Sequence, residues 1–231
     1  MTLFFRRTLA TILLASTIGS HAAENFSACL QFFANAKPPV VVLRPTDRAL
    51  CYDAFAILHS GESKTPVFVA EKLNRESIAD AHEKRFDKFF ADARLRAAER
   101  ATLENYKGSG YDRGHMAPAG DMPTPQAMEQ SFSLANVVPQ APEHNRGVWA
   151  KSVEMATRKY AARATGDVFV ITGTVFEPVS LRVQASVQVM YESRNICLSW
   201  CTIRTKTERG HTGISMTMLR EAQSRLLRRV G

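Results

Sequence analysis

The sequence holds no internal repeat and no low-complexity tract, which excludes solenoid and compositionally biased architectures. It has no Cys-x-x-Cys pair and no paired histidines, so a structural zinc centre is not expected. No apolar run is long enough for a comfortable membrane span. The run "TLATILLASTIGS" behind "MTLFFRR" is too short and too mixed. Cysteine is scarce, at four residues, and tryptophan scarcer, at two. What remains is an ordinary globular balance, 45% hydrophobic and 23% charged over 231 residues, enough for one domain with a real core.

The N-terminus reads as an export signal. It combines a basic start, an apolar run and "SHA" before Ala23, which predicts cleavage near Ala22 or Ala23 and a periplasmic or secreted protein. Export favours disulfides for Cys29, Cys51, Cys197 and Cys201. Three pairings are open to them, and the sequence neighbourhoods favour Cys29 with Cys51. The formal charge is +8, and removing residues 1–22 takes away Arg6 and Arg7 and no acid, leaving +6. Such a surface attracts polyanions, nucleic acid among them.

Along the chain, "VVVLRP" predicts a strand, "ALCYDAFAILHS" a second and "TPVFVAEKL" a third, in consecutive antiparallel order. Residues 76–101 read as helix or long loop. "QAMEQSFSLANVVPQ" reads as a helix turning into an extended segment. "NRGVWAKSVEMATRKYAARATG" is the strongest helix pattern, with Trp149, Val153, Ala156 and Tyr160 as its apolar stripe. "DVFVITGTVF" is a buried strand. Strands, a long helix and a further strand in this order give an α+β class, with a mainly antiparallel sheet flanked by helices.

Three places carry chemistry. In "GSGYDRGHMAPAGD", His115 sits among glycines and small residues, as a general base at a turn would, or as a solvated surface histidine would. Asp112 is placed to orient backbone or ring, and Arg113 is a fixed charge suited to phosphate. Next, Asn145 opens the strong helix, either as its N-cap or as a neutral oxygen ligand for magnesium, which needs few protein ligands. Last, Glu154 and Arg158 are four apart and share a helix face. They are either an exposed ion pair or a carboxylate steering water beside a cation that stabilises phosphoryl charge. Of the other histidines, His144 reads as a solvated neighbour, and His59, His82 and His211 as surface residues.

Together, "YDRGHMAPAGDM" and then "SLANVVPQAPEHNRGVWAKSVE" resemble the DNA/RNA non-specific endonuclease family of ββα-metal nucleases, collinearly from about residue 50 to 177. The resemblance implies a ββα-metal motif and magnesium-dependent hydrolysis of DNA and RNA, with manganese able to substitute and 5′-phosphate ends as product. It implies His115 as general base, Asn145 as the sole direct metal ligand, Glu154 as holder of metal waters, and Arg158 near the scissile phosphate. Arg113 and Asp112 complete the motif. Asn136 and Arg75 fall on substrate-facing positions, Arg75 equally readable as a surface residue. DNA and RNA are the implied partners. A homodimer is open, and stable membrane insertion is not expected.

The chain departs from the pattern twice. Asn145 and Glu154 are nine apart where the family has eight, which would swing Glu154 off the face of Asn145 unless a π-bulge near Lys151 or Ser152 absorbs the extra residue. The resemblance also fades after Phe176. The expected organisation is residues 1–22 as signal, 23–178 as the well-matched nuclease domain, and 179–231 as a divergent part of that domain, of the kind a coding frameshift leaves. The rival readings are a catalytically impaired nucleic-acid-binding protein on the same scaffold, and a basic envelope protein.

Overall fold

The computed structural model describes residues 26–176 and, as backbone, 184–192. The signal-peptide expectation, Cys197, Cys201, His211 and the basic tail lie outside the described residues. A five-stranded antiparallel sheet is built from β1 (Asp47–Cys51), β2 (Phe55–Ser60), β3 (Thr65–Leu73), β6 (Val168–Phe176) and β7 (Gln184–Glu192), adjacent in that order. Between β3 and β6 the chain leaves the sheet. It forms the short helix α1 (Arg75–Asp80), a long irregular stretch, and then the ββα unit. That unit is β4 (Asp112–His115), α2 (Pro125–Ser131), β5 (Val137–Gln140), a π-helical segment (His144–Glu154) and α3 (Met155–Ala161). The α+β architecture with a mainly antiparallel sheet is as expected.

"ALCYDAFAILHS" is not one strand. Its two halves pair as β1 and β2 in a hairpin, with Cys51 opposite Ala56. "VVVLRP" is not a strand. Val40 and Val42 are 90% and 94% exposed, while Val41 and Leu43 pack on the core. Pro39 and Pro45 bracket the segment and remove ladder donors, and β1 already holds the sheet edge. "TPVFVAEKL" is β3 over its whole length.

β2 is buried on both faces because two different layers cover it. Phe55 and Ile57 join Val69, Met116, Met122, Phe132 and Val138 on the face that carries the ββα unit. Ala56 and Leu58 join Phe68, Ala70, Phe26, Phe32 and Phe33 on the other. This is the two-residue period of a strand sorting one sequence into two cores. The second core is tied down by the Cys29–Cys51 disulfide, Cα–Cα 5.7 Å, as the sequence neighbourhoods suggested. Among the described residues no helix is long and apolar enough to cross a membrane.

The long helix differs from its expected periodicity. Trp149, Val153, Thr157 and Ala161 are its buried residues, a spacing of four throughout, whereas Ala156 faces solvent. π-helical turns close on i+5, so the buried stripe drifts from the α-helical one. Thr157 is tolerated inside because its hydroxyl donates to Val153 O at 2.9 Å.

Candidate active site

β4 and β5 form a two-stranded antiparallel ribbon, with His115 opposite Val137 and Asp112 opposite Gln140. Gly114 is required by close approach. A Cβ there would lie 1.9 Å from Gln140 Oε1 and 2.3 Å from its Cδ, because the Gln140 side chain crosses the strand at that point. Arg113 and His115 are two apart and so share a face. Both meet Phe89: the guanidinium of Arg113 lies 4.4 Å from its ring centre and the imidazole 5.3 Å. Phe132 closes the other side of His115 at 4.8 Å, and Arg85 stacks on Phe132 at 5.0 Å.

His115 is therefore walled by two aromatic rings and two arginines. It is buried, and its Nε2 makes no hydrogen bond. Burial first, then the charges of Arg85 and Arg113, push its pKa down to about 3, with Asp87 opposing. The imidazole is neutral at physiological pH.

Asp112 does not orient His115. An odd spacing along a strand turns the two side chains to opposite faces. Asp112 instead reaches the start of the long helix. It accepts from Arg146 Nε at 2.7 Å and Nη2 at 2.6 Å, and from Asn145 Nδ2 at 3.0 Å. Those hydrogen bonds, Arg146's foremost, hold its carboxyl below the usual range. Donation to a carboxylate assigns nitrogen to the Asp112 side of the Asn145 amide and leaves Oδ1 for a ligand. Asn145 is not the helix N-cap: Glu143 precedes the first turn, without a side-chain cap bond.

Glu154 stands in a second cluster. In place of a single bulge near Lys151 or Ser152, the segment His144–Glu154 is π-helical with a non-helical kink at Gly147 (φ −98°, ψ −106°). Arg158 Nη2 donates to Glu154 at 3.5 Å, and its Nε donates to Asp121, a buried residue of the loop that follows His115. Glu71, buried on the inward face of β3, joins them electrostatically, with Oε1 lacking a hydrogen-bond partner. Burial raises Glu71 well above the usual range and Asp121 to about 6. Burial, and then Asp121, push Glu154 up to about 7. Arg158 opposes all three shifts. It bridges helix and loop, 27% exposed, and is not a free surface cation.

Two expected substrate contacts are displaced. Asn136 is fully buried. Its Oδ1 accepts from Ala117 N, and its Nδ2 donates to Ala117 O and Ser131 O, each at 2.9 Å, so its amide is spent clamping the loop after His115. Arg75 donates to Ala162 O at 3.2 Å, at the far end of the helix from Asn145. Arg85, which the sequence reading passed over, holds the position near the site: its charge acts on both His115 and Glu154. "EKRFDKFF" lacks a regular pattern, so only its aromatic residues signalled burial. His59 is also corrected. It is fully buried on β2, with Nε2 at 2.9 Å from Glu99 O. His144 is half-buried against Trp149.

Among the described residues no group of three or more His, Cys, Asp or Glu side chains is placed to chelate a metal. A metal here would rest on Asn145 Oδ1 and water, a donor set that suits magnesium.

Similarity to known proteins agrees with this geometry. A sequence profile of the DNA/RNA non-specific endonucleases matches residues 39–207, past the point where the recognisable motifs end. Nuclease EXOG, mitochondrial, of Xenopus laevis is 32% identical over 194 residues, 77% of this chain and 54% of that protein. Endonuclease G, mitochondrial, of Homo sapiens is 35% identical over 130 residues, 56% of this chain and 41% of that protein. Nuclease C1 of Cunninghamella echinulata var. echinulata is 35% identical over 133 residues, 54% of this chain and 51% of that protein. The chain spans about half the length of the curated relatives it matches. In fold, it is similar to EndoG in a solved EndoG/EndoGI complex, with a TM-score of 0.58, 24% identity and coverage of 74% of this chain and 75% of that one. The relatives named as mitochondrial overturn the periplasmic or secreted location expected from residues 1–22. A basic leader without acids is common to secretory signals and mitochondrial transit peptides, so the local pattern does not separate them. With the profile matched over most of its length and the His115 and Asn145 motifs on a β4–β5–helix unit, the chain belongs to the DNA/RNA non-specific endonuclease family.

Proposed function

We propose that the chain is a magnesium-dependent endonuclease that hydrolyses phosphodiester bonds of DNA and RNA with little sequence preference, leaving 5′-phosphate ends. In this reading residues 23–178 and 179–231 belong to one nuclease domain. The observation that carries the proposal is the Asp112–Asn145 hydrogen bond at the helix start, on the same ribbon as a buried neutral His115.

His115 takes a proton from the attacking water, a role that needs a neutral ring. Arg85 and Arg113 flank the ring and present positive charge to the phosphate. Asn145 Oδ1 would hold the metal, kept in register by Asp112, which Arg146 pairs. A bound magnesium would supply charge neutralisation at the phosphate. Glu154 would orient water around it, held by Arg158, which Asp121 anchors in turn. Contacts to phosphate rather than to base edges carry no sequence information.

A plasmid-nicking assay with magnesium and with chelator tests the reading. Nicking that needs magnesium and disappears in His115→Ala and Asn145→Ala is the expected result. Binding without cleavage by the wild type would favour the impaired binding protein instead. No binding at low salt would sink both.

A further inference from the structure

Beside the first residues of β4 lies a cavity of about 450 Å³, lined by the tyrosines Tyr106 and Tyr111, by Leu103, by Asp112 and Arg113, and by Lys107 and Glu104, which pair at 3.8 Å. We propose that it is a nucleotide subsite: it stacks the base next to the scissile phosphate on Tyr111 and Tyr106, with Lys107 and Arg113 toward the backbone. This rests on the nuclease reading and adds to it a place for the base.

Continuity with the site is the first argument. Arg113 lines the cavity and stacks on Phe89 beside His115, while Asp112 lines it and holds Asn145. Those two residues join the cavity to the site. The second argument is the lining. Leu103 is 46% and Tyr111 42% exposed, an apolar and aromatic surface bordered by Arg113 and by Lys107, whose pair with Glu104 is solvent-exposed on both sides. Tyr106 is anchored, its hydroxyl donating to Val137 O at 3.4 Å. Aromatic rings beside cations are the usual platform for single-stranded nucleic acid, and they tolerate any base because every base has a π face. The third argument is the loop. Gly108 at φ +66° and Gly110 at φ +79° let the chain turn tightly enough to bring both tyrosines to one cavity. A Cβ at either position would meet nothing within 4 Å, so the backbone turn and not close approach calls for glycine. The volume lies within the range of ~300–1,000 Å³ typical of small-molecule sites.

The test uses the full chain, a short single-stranded oligonucleotide, and the same strand with one abasic position. Tyr111→Ala is expected to raise KM about tenfold on the intact strand with little change in kcat, and Tyr111→Phe to restore it. In the wild type, an abasic position next to the cleaved bond raises KM similarly. In Tyr111→Ala that penalty shrinks to under about twofold. An unchanged KM in Tyr111→Ala, or an abasic penalty as large as in the wild type, would overturn the subsite. It would leave the cavity to charge steering or to a protein partner. Fluorescence anisotropy of the labelled strand in chelator reads the same cycle without cleavage, so failure of the nuclease reading is distinguished from failure of the subsite.

Discussion

Asp112→Asn separates the proposed metal site from the fold that carries it. The substitution keeps shape and removes charge. Asp112 now accepts three hydrogen bonds, two from Arg146 at 2.6 and 2.7 Å and one from Asn145 at 3.0 Å. Oδ2 takes both Arg146 Nε and Asn145, and Oδ1 takes Arg146 Nη2, so an asparagine sets its NH₂ against a donor in either orientation. Without the carboxylate charge the contact that fixes the Asn145 flip weakens, and with NH₂ at the Oδ2 place it is lost, so Asn145 Oδ1 is no longer held outward. Loss of a residue that orients a metal ligand typically costs about 10- to 100-fold in metal affinity. The magnesium concentration for half-maximal nicking should rise by about that factor, while the rate at saturating magnesium falls much less. The melting temperature should hardly move, since Arg146 is exposed and its ion pair is screened by solvent. Magnesium titration of nicking, with calorimetric binding beside it, gives the readout. An unchanged half-saturating magnesium concentration, in a preparation where Asn145→Ala abolishes the response, would refute the orienting role.

Gly114→Ala should destabilise by about 1–3 kcal/mol, the usual range for overpacking, because Gln140 must leave its place over the strand; chemical denaturation measures it, and an unchanged midpoint counts against the close approach. Stability should fall as pH rises from 6.5 to 8. Glu154 at about 7 and Glu71 well above its ordinary value bind protons more tightly folded than unfolded. The native state therefore carries more protons, and raising the pH through those values removes that advantage. His115 and His59, with lowered values, act in the opposite sense but only below their unfolded value of 6.5. Melting curves across this window check the sign, and Glu71→Gln should flatten the slope. Arg85→Ala should cut kcat by about 100-fold, the scale for losing one charge-stabilising donor, whereas Arg75→Ala should leave kcat unchanged. Equal effects of the two would show that Arg85 has no special place.

The family and the α+β class were legible because they rest on local signals in order along the chain: a turn-rich motif, a helix start, a buried strand. β3 was legible over its full length because its apolar residues run unbroken. β1 and β2 merged in the sequence reading because "CYDA" carries no glycine or proline to mark the hairpin. The helix stripe slipped from Ala156 to Thr157 because periodicity assumes 3.6 residues per turn, and π turns break it.

By itself the sequence determined which residue types could do phosphodiester chemistry and in what order they occur. Only the tertiary structure decided their partners. It turned Asp112 away from His115 and onto Asn145, since strand alternation fixes which face a side chain takes. It buried Asn136 as a loop clamp and sent Arg75 to the far end of the helix. It gathered Glu71, Asp121, Glu154 and Arg158 from the sheet, a loop and a helix. Those contacts join residues up to 87 positions apart, and no local pattern carries such distances.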